Sequence, residues 1–423
     1  ASLSETSIQF TGGAFQVNAV GVESASVDGN GGNDSVEIFD TSGDDVLDAY
    51  SDRVEMTLAT GHVLEALGFS EVRAYASQGL DRAHFYDTAG DEVFRSYHDK
   101  ATMTGAAFFN YGAGFDEYFA YSSAGNDRAM FHDSAGDETF RGYGHSATMT
   151  GSNFYAQASG FAETYAYSTG GNDTAIFNDT AGNDTFRANA VTATMTGASY
   201  FHYARDFSET YAFGGSGYDR AILDDSAGDD TFRTYADRAT MQGAGFFNFA
   251  RGFAEMYGFA TTGNDRVVMT DDPNGNDTFR AYHDKATMHG NGYFHYARGF
   301  DETYAFSTGG IDRAVFYDSL GNDTYRGYHN KSTMTGDGFF NYAGGFGKTE
   351  AYGSSGDDAA FLYDSAGGDS LVASNALARL YGDNCDNEVH SFDNVTAISN
   401  QGGNDNSTVG AIDYALSLIG DWD

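Results

Sequence analysis

A repeat of 46 or 47 residues runs through nearly the whole chain and limits the folds that it can adopt. The segment DRAHFYDTAGDEVFR at residues 81–95 returns as DRAMFHDSAGDETFR at residues 127–141. The first aspartate of each repeat occurs at Asp34, Asp81, Asp127, Asp173, Asp219, Asp265, Asp312, Asp358 and Asp405. A pattern that stays in phase over this distance is typical of one array of stacked units, about eight here, rather than of unrelated domains.

Short runs of alternating apolar and polar residues fill each repeat. Ala83 and Phe85 alternate with Arg82 and His84, and turns rich in Gly, Asn and Asp follow every 10 to 13 residues. A period of two indicates half-buried strands of about five or six residues. The pattern predicts an all-β chain that forms a parallel β-solenoid with two coils per repeat. An eight-bladed β-propeller is the alternative, because the repeat is close to a propeller blade in length.

The turns and the chain ends favour the solenoid over the propeller. The turns resemble one another, and none is a clear Asn-Gly hairpin between long strands. The repeat also weakens towards both ends, as the terminal caps of an open stack do. We therefore expect a cap or docking segment at residues 1–28, the repeat array at residues 29–374, and a degenerate last repeat with a second cap or docking segment at residues 375–423.

The composition excludes several kinds of partner. Acidic residues outnumber basic ones by 61 to 22, which gives a formal net charge of −39, so nucleic acid and anionic membranes are not expected partners. Aromatic residues make up 15% of the chain, far more than disordered acidic tails contain, so we expect a folded core. Cys385 is the only cysteine, and rigidity must come from stacked repeats or bound metal ions rather than from a disulfide.

Two columns of acidic residues are the main candidate for a binding site. The first column consists of the repeat aspartates from Asp34 to Asp358. The second contains Asp45, Glu92, Glu138, Asp184, Asp230, Asp277, Asp323 and Asp369. If identical coils stack, each carboxylate lies over its counterpart, and Ca²⁺ would relieve the repulsion. We predict calcium ligands throughout the first column and at Asp184, Asp230, Asp277 and Asp323. The alternative is that each carboxylate caps its own turn, with arginines as counter-charges.

The turns carry a resemblance to known repeats. The segments GNGGNDSV at residues 29–36 and GGNDTA at residues 170–175 resemble the calcium-binding nonapeptide of RTX β-rolls in a degenerate form. The phrase Asp-Ser-x-Gly-Asp-Asp-x-Phe is similar to repeats in very large secreted proteins of some aquatic bacteria. The first resemblance implies bound Ca²⁺, and the second implies a secreted or cell-surface location. The chain also begins without Met at Ala1, which is consistent with an exported mature chain.

Arginine and tyrosine residues recur at fixed positions as well. One set of arginines is Arg95, Arg141, Arg187, Arg233, Arg280 and Arg326, and a second set is Arg82, Arg128, Arg220, Arg266 and Arg313. We expect them to pair across coils with the acidic columns. The alternative is that they hold a carboxylated polysaccharide, which would stack on Tyr97, Tyr143, Tyr235, Tyr282 and Tyr328.

Nothing in the sequence marks a catalytic site. Histidines are scattered over repeat positions where other units carry Met, Asn or Tyr, and Cys385 has no partner residues spaced for zinc. We expect no catalytic residue and no enzyme activity. The leading hypothesis is an extracellular structural protein, a subunit of a cation-stabilised filament, surface layer or matrix whose copies join head-to-tail. The alternative is an adhesion module that binds acidic polysaccharide.

Overall fold

The computed structural model describes residues 2–4, 7–12, 15–20, 24–30, 32–383 and 385–423. All regular secondary structure in these residues is β-strand. The strands are β1 (Ser2–Ser4), β2 (Ser7–Gly12), β3 (Phe15–Val20), β4 (Ala25–Asp28), β5 (Ser35–Phe39), β6 (Val46–Ala49), β7 (Arg53–Thr57), β8 (Val63–Leu67), β9 (Glu71–Tyr75), β10 (Arg82–Tyr86), β11 (Val93–Ser96), β12 (Lys100–Thr104), β13 (Phe109–Ala113), β14 (Glu117–Tyr121), β15 (Arg128–His132), β16 (Thr139–Tyr143), β17 (Ser146–Thr150), β18 (Tyr155–Ser159), β19 (Glu163–Tyr167), β20 (Thr174–Asn178), β21 (Thr185–Ala188), β22 (Thr192–Thr196), β23 (Phe201–Arg205), β24 (Glu209–Phe213), β25 (Arg220–Asp224), β26 (Thr231–Tyr235), β27 (Arg238–Gly243), β28 (Phe246–Arg251), β29 (Glu255–Phe259), β30 (Arg266–Thr270), β31 (Thr278–Ala281), β32 (Lys285–Gly290), β33 (Tyr293–Arg298), β34 (Glu302–Phe306), β35 (Arg313–Tyr317), β36 (Thr324–Gly327), β37 (Lys331–Gly336), β38 (Phe339–Gly344), β39 (Lys348–Tyr352), β40 (Ala359–Tyr363), β41 (Ser370–Asn375), β42 (Leu377–Gly382), β43 (Cys385–His390), β44 (Asn394–Ser399), β45 (Asn406–Ile412) and β46 (Ala415–Gly420).

The chain divides into two compact units. The first contains Ala1–Phe186 and Val191–Gly217, and the second contains Arg187–Ala190 and Tyr218–Asp423. Within each unit the strands belong to two sheets, and the chain passes back and forth between them. Among the described residues, no helix is long and apolar enough to span a membrane.

Alternating side chains build the core between the two sheets. In β10, Ala83 and Phe85 are buried, whereas Arg82 is exposed. The ring of Phe85 packs against that of Phe94 in β11 of the other sheet, with the centroids 5.8 Å apart. The same alternation of buried and more exposed positions recurs in most strands of both units. It matches the period of two in the sequence, because successive side chains of a strand point to opposite faces and only one face is apolar.

The predicted fold class, a parallel β-solenoid, is confirmed, with about eleven turns. Strands of successive turns pair in parallel, for example β10 with β14 and β14 with β18 in one sheet, and β15 with β19 in the other. Parallel ladders between turns are incompatible with the blades of a propeller, whose consecutive strands run antiparallel.

Each repeat contains five strands, which do not form the two coils expected from the sequence. The chain runs through β10 in one sheet, through the antiparallel strands β11, β12 and β13 in the other sheet, and returns to the first sheet as β14. A repeat therefore makes about one and a half turns instead of two. The next repeat places its three antiparallel strands, β16 to β18, in the opposite sheet. The hairpin between β11 and β12 turns on His98 and Asp99, a loop without the Asn-Gly signal.

The glycine two residues before each repeat aspartate lets neighbouring turns approach closely. Gly263 has φ of +138°, and a Cβ atom there would lie 2.1 Å from the carbonyl oxygen of Gly228 in the preceding turn. No L-residue fits both constraints without displacing the backbone. The recurring glycine is therefore a requirement of the stacked turns.

The segments expected to form caps contain strands. Residues 375–423 include β42 to β46, and β42 pairs antiparallel with both β41 and β43, as in the preceding repeats. In the predicted cap at residues 1–28, the strands are β1 to β4. Residues 1, 5, 6, 13, 14 and 21–23 of that segment lie outside the described residues.

Candidate metal centres

Groups of three carboxylates recur at the turns that connect the two sheets. In each group, one oxygen from every residue lies within 4.8 Å of the others. The first unit contains the groups Asp40/Asp45/Asp81, Asp87/Glu92/Asp127 and Asp133/Glu138/Asp173, and the second unit contains Asp225/Asp230/Asp265. We call these four groups the carboxylate triads. In each triad, two members come from one turn and the third comes from a later turn.

Hydrogen bonds to backbone N–H groups position the triad in the second unit. Asp265 Oδ1 accepts the N–H of Asp230 at 2.8 Å. Asp230 Oδ2 accepts the N–H of Ser226 at 2.9 Å and its hydroxyl at 2.7 Å. Asp225 Oδ2 accepts the N–H of Thr261 at 2.6 Å. Short acidic side chains satisfy backbone donors where a strand ends and its ladder stops, which explains their regular placement at turns.

The structure pairs the two predicted columns with each other. Asp265 contacts Asp230 of the second column, whereas like-on-like stacking would have placed it over another repeat aspartate. The same bond from a second-column N–H to a first-column Oδ1 joins Asp45 to Asp81, Glu92 to Asp127, Glu138 to Asp173, Asp277 to Asp312, Asp323 to Asp358, and Asp369 to Asp405. The predicted stacking is wrong for these residues because a repeat makes one and a half turns. The same turn therefore leads from the first sheet to the second in one repeat, and from the second sheet to the first in the next repeat.

The remaining predicted ligands occupy varied surroundings. Asp34 is exposed, and its backbone carbonyl accepts the N–H of Glu71. Asp184 is buried and accepts hydrogen bonds from the N–H and hydroxyl of Thr180. Asp219 is also buried, and its carbonyl accepts the N–H of Glu255. Most residues of the first and second columns nevertheless share one feature, because their side chains are buried.

A third set of aspartates in these turns was not recognised in the sequence. It contains Asp40, Asp87, Asp133, Asp179, Asp225, Asp271, Asp318 and Asp364. Each occurs five residues before the second column, or six at Asp271, so the set recurs as regularly as the two predicted columns. Asp133, for example, accepts the N–H and hydroxyl of Thr169, 36 residues later. The regular spacing was the available signal, but it does not reveal which turns are neighbours.

The arginines do not neutralise the triads. Those of one predicted set pair with glutamates across parallel strands, in the pairs Arg82–Glu117, Arg128–Glu163, Arg220–Glu255, Arg266–Glu302 and Arg313–Glu350. In the other set, Arg187 pairs with Asp224. Within the described residues, no Lys or Arg forms an ion pair with any carboxylate of the four triads. Pairing of arginines with the acidic columns is therefore not observed at these sites.

Burial of uncompensated negative charge raises the pKa of several carboxyl groups. The pKa of Asp265 is raised to about 6, chiefly by desolvation and further by the charges of Asp225 and Asp230. The pKa values of Asp81 and Asp358 are also raised to about 6, with burial again the largest cause. Among the described atoms, Asp230 Oδ1 is buried without a hydrogen-bond partner. Each triad thus offers hard oxygen atoms and an excess of negative charge, the combination that Ca²⁺ prefers.

The tyrosines predicted as a sugar platform have their faces covered. The ring of Tyr97 stacks on His132 at a centroid distance of 4.5 Å, and the Lys100 ammonium lies 5.2 Å from its centroid. Tyr282 stacks on Tyr317, and Tyr328 stacks on Tyr363. An arginine guanidinium lies over the ring of Tyr235, and lysine ammonium groups lie over the rings of Tyr282 and Tyr328. Tyr143 differs, because 61% of it is exposed.

No protein-family model matches the chain, and no curated protein is similar to it. The fold and the sites define a class by themselves: this is a β-solenoid repeat protein with recurring clusters of buried acidic residues.

Proposed function

We propose that this chain is a non-enzymatic structural protein that acts outside the cell, as a subunit of a filament, surface layer or matrix stabilised by Ca²⁺. The observation that carries the proposal is the recurrence of largely buried carboxylate triads that no basic side chain of the described residues neutralises. A cation from solution would remove this electrostatic penalty wherever it is bound.

Bound Ca²⁺ would connect turns that are distant in sequence. In the triad Asp225/Asp230/Asp265, two ligands come from one turn and the third comes from a turn 35 residues after Asp230. An ion held by both turns binds the folded chain and not the unfolded one, so it stabilises the fold by mass action. Because both units contain triads, the bound ion would stabilise each unit.

The expected environment follows from the affinity of such sites. Extracellular calcium modules bind with dissociation constants of about 10⁻⁴ to 10⁻³ M, so they fill only where the ion is abundant. The resemblance of the turns to RTX β-rolls and to repeats of secreted bacterial proteins supports the same location. We propose a secreted or cell-surface protein on these two grounds.

Assembly would use strands that lack a second neighbour. Among the described strands, β45 pairs only with β41, and β46 pairs only with β44, while the N–H of Ser407 in β45 donates to the carbonyl of Asp423. These strands also expose Val409, Leu418 and Ile419. Strands with a free edge and exposed apolar side chains are templates for another chain, so we propose head-to-tail joining of copies.

The geometry of the aromatic rings weighs against the polysaccharide alternative. A sugar ring stacks on the face of an aromatic side chain, and Tyr97, Tyr282 and Tyr328 present covered faces. We therefore favour the structural role over an adhesion module. Retarded migration of the protein in gels that contain an acidic polysaccharide, abolished by Tyr143→Ala, would reverse this preference.

The proposal is tested by electron microscopy and thermal unfolding of the purified full chain in millimolar CaCl₂ and in a calcium chelator. We expect filaments or sheets and a higher Tm with Ca²⁺, and both should be lost on chelation. Equimolar MgCl₂ is the control for ionic strength and charge. The proposal is contradicted if the Tm and the state of assembly are the same in calcium and in chelator.

A further inference from the structure

Each repeat aspartate lies near carboxylates of an earlier turn and forms an acidic cluster with them, as Asp358 does with Asp318 and Asp323. The residue five positions before the repeat aspartate differs between these clusters. It is a serine before Asp127, Asp173 and Asp312, and the hydroxyls of Ser122, Ser168 and Ser307 donate to Oδ2 of these aspartates at 2.6 or 2.7 Å. The same position holds Ala76 before Asp81, Ala260 before Asp265 and Gly353 before Asp358. These three aspartates therefore lack the hydroxyl donor.

At Asp358, absence of the hydroxyl leaves a buried carboxylate oxygen unsatisfied. Asp358 Oδ1 accepts the N–H of Asp323 at 2.8 Å, but Oδ2 is buried and has no partner among the described atoms. The residue is only 1% exposed, so water cannot solvate that oxygen freely. The nearby Asp318 carboxylate adds a further acceptor rather than a donor. A buried oxygen without a donor is costly and marks a place where a positive group is missing.

The triad Asp225/Asp230/Asp265 also lacks the serine hydroxyl. Asp265 has no serine donor, because Ala260 occupies that position. Asp230 is 1% exposed, and its Oδ1 is buried without a hydrogen-bond partner. Asp277 Oδ1, next to the serine-closed Asp312, is buried without a partner as well, so the two clusters differ only in the side-chain donor to Oδ2 of the repeat aspartate.

We infer that the residue at this position determines which clusters bind a divalent cation. Clusters in which it is Ala76, Ala260 or Gly353 bind one, and clusters in which it is a serine that donates to the aspartate do not. The inference rests on the proposed function, because it assigns the proposed Ca²⁺ to particular clusters. In the serine clusters, a cation would have to displace a hydroxyl donor that already satisfies the oxygen. In the alanine and glycine clusters, the cation would bind the aspartate oxygen that has no hydroxyl donor, and it would offset the repulsion of the neighbouring carboxylates.

Substitutions in both directions test the inference on the full chain. Ala260→Ser supplies the missing hydroxyl, and Ser168→Ala removes one from the cluster of Asp173. Bound Ca²⁺ is counted per chain by equilibrium dialysis and isothermal titration at pH 7.5 after chelator removal. We expect Ala260→Ser to bind one ion fewer than wild type and Ser168→Ala to bind one more. Ala227→Ser, an exposed position in the turn of Asp225 and Asp230, should leave the count unchanged.

The outcomes separate this inference from the proposed function. If wild type binds Ca²⁺ and neither substitution changes the count, the selection by serine is wrong and the calcium-dependent structural role stands. If wild type binds no Ca²⁺, both fall. A gain of one ion in Ser168→Ala supports the inference independently, because a misfolded variant would lose sites rather than gain one.

Discussion

The backbone N–H of Asp230 donates to Oδ1 of Asp265, 35 residues later, at 2.8 Å, and both residues are buried. This bond connects successive turns and at the same time brings two carboxylates close together. The acidic residues therefore have opposing effects. Their hydrogen bonds stabilise the stack, and their charges destabilise it until a proton or a cation neutralises them.

Asp265→Asn should separate these effects. The amide oxygen can still accept the N–H of Asp230, while one negative charge is removed. In chelator, we expect the variant to be more stable than wild type by about 1–3 kcal/mol, because repulsion in the triad is reduced. In millimolar Ca²⁺, the order should reverse, because a ligand is lost. Chemical denaturation in both buffers measures the difference.

Asp337→Asn is the matched control for this prediction. Asp337 is exposed and belongs to none of the four triads, so its substitution should change stability equally little in both buffers. An effect of Asp265→Asn that is the same with and without Ca²⁺ would contradict the account.

His295 should make the protein sensitive to acid. It is 0% exposed, and both ring nitrogens lack a partner among the described atoms. Burial lowers its pKa to about 3, below the ordinary value of 6.5, so the folded state binds the proton less readily than the unfolded state. This group therefore does not lower the free energy of unfolding above pH 6.5. It lowers that free energy progressively as the pH falls from 6.5 towards 3, because the unfolded state takes up the proton first.

His295→Asn should weaken that acid sensitivity. Equivalent strands carry Asn248 and Asn341, which donate to the backbone carbonyls of Asn189 and Tyr282. We expect the free energy of unfolding to fall less steeply below pH 6.5 in the variant, by up to about 1.4 kcal/mol per pH unit. His98→Asn, at an exposed hairpin loop, is the control and should leave the slope unchanged. Parallel pH profiles for wild type and His295→Asn would refute the prediction.

Gly263→Ala should strain the stack of turns. Its φ is +138°, and the new Cβ would meet the carbonyl oxygen of Gly228 at 2.1 Å. We expect a loss of more than about 2 kcal/mol, from backbone strain and steric displacement together. Gly292 has φ of +83° and open space where the new Cβ would lie, so Gly292→Ala measures the backbone strain without a steric clash. It should cost about 1 kcal/mol. Equal losses of stability would show that the close approach has no energetic effect.

The stacked rings on the surface should stabilise the second unit. Tyr317 lies between Tyr282 and Tyr352, with centroid distances of 4.5 and 5.4 Å and interplanar angles of 9° and 16°. Removal of this ring by Tyr317→Ser should cost about 1–3 kcal/mol, because two stacking contacts and apolar burial are lost. Tyr143→Ser, at a largely exposed ring, should cost less than about 0.5 kcal/mol. Urea unfolding of both variants checks the contrast.

The period and the alternation of the sequence predicted an all-β repeat array, and the similar turns and weakened ends favoured the solenoid over the propeller. Ala83 and Phe85 face the core because a strand with one apolar face must bury it, and this is a local property. The three antiparallel strands β11 to β13 could not be predicted in the same way. Their first hairpin turns on His98 and Asp99, which are not typical hairpin residues, and a strand gives no local sign of its direction.

The sequence also marked the acidic residues without showing how they meet. Asp230 and Asp265 belong to different predicted columns, and they are neighbours only because a repeat makes one and a half turns. Asp225 was overlooked because one sequence does not show that the turn carrying it faces the turn of Asp265. The number of turns per repeat depends on strand pairing, which is a long-range property, so the partners of each carboxylate could not be derived from spacing.

The most direct measurement is a crystal structure of the full chain soaked with Tb³⁺, a strongly anomalous substitute for Ca²⁺. The account predicts an anomalous peak enclosed by the carboxylates of Asp225, Asp230 and Asp265, displaced when CaCl₂ is added in excess. An empty site in which those three side chains bond only to protein and water would contradict it.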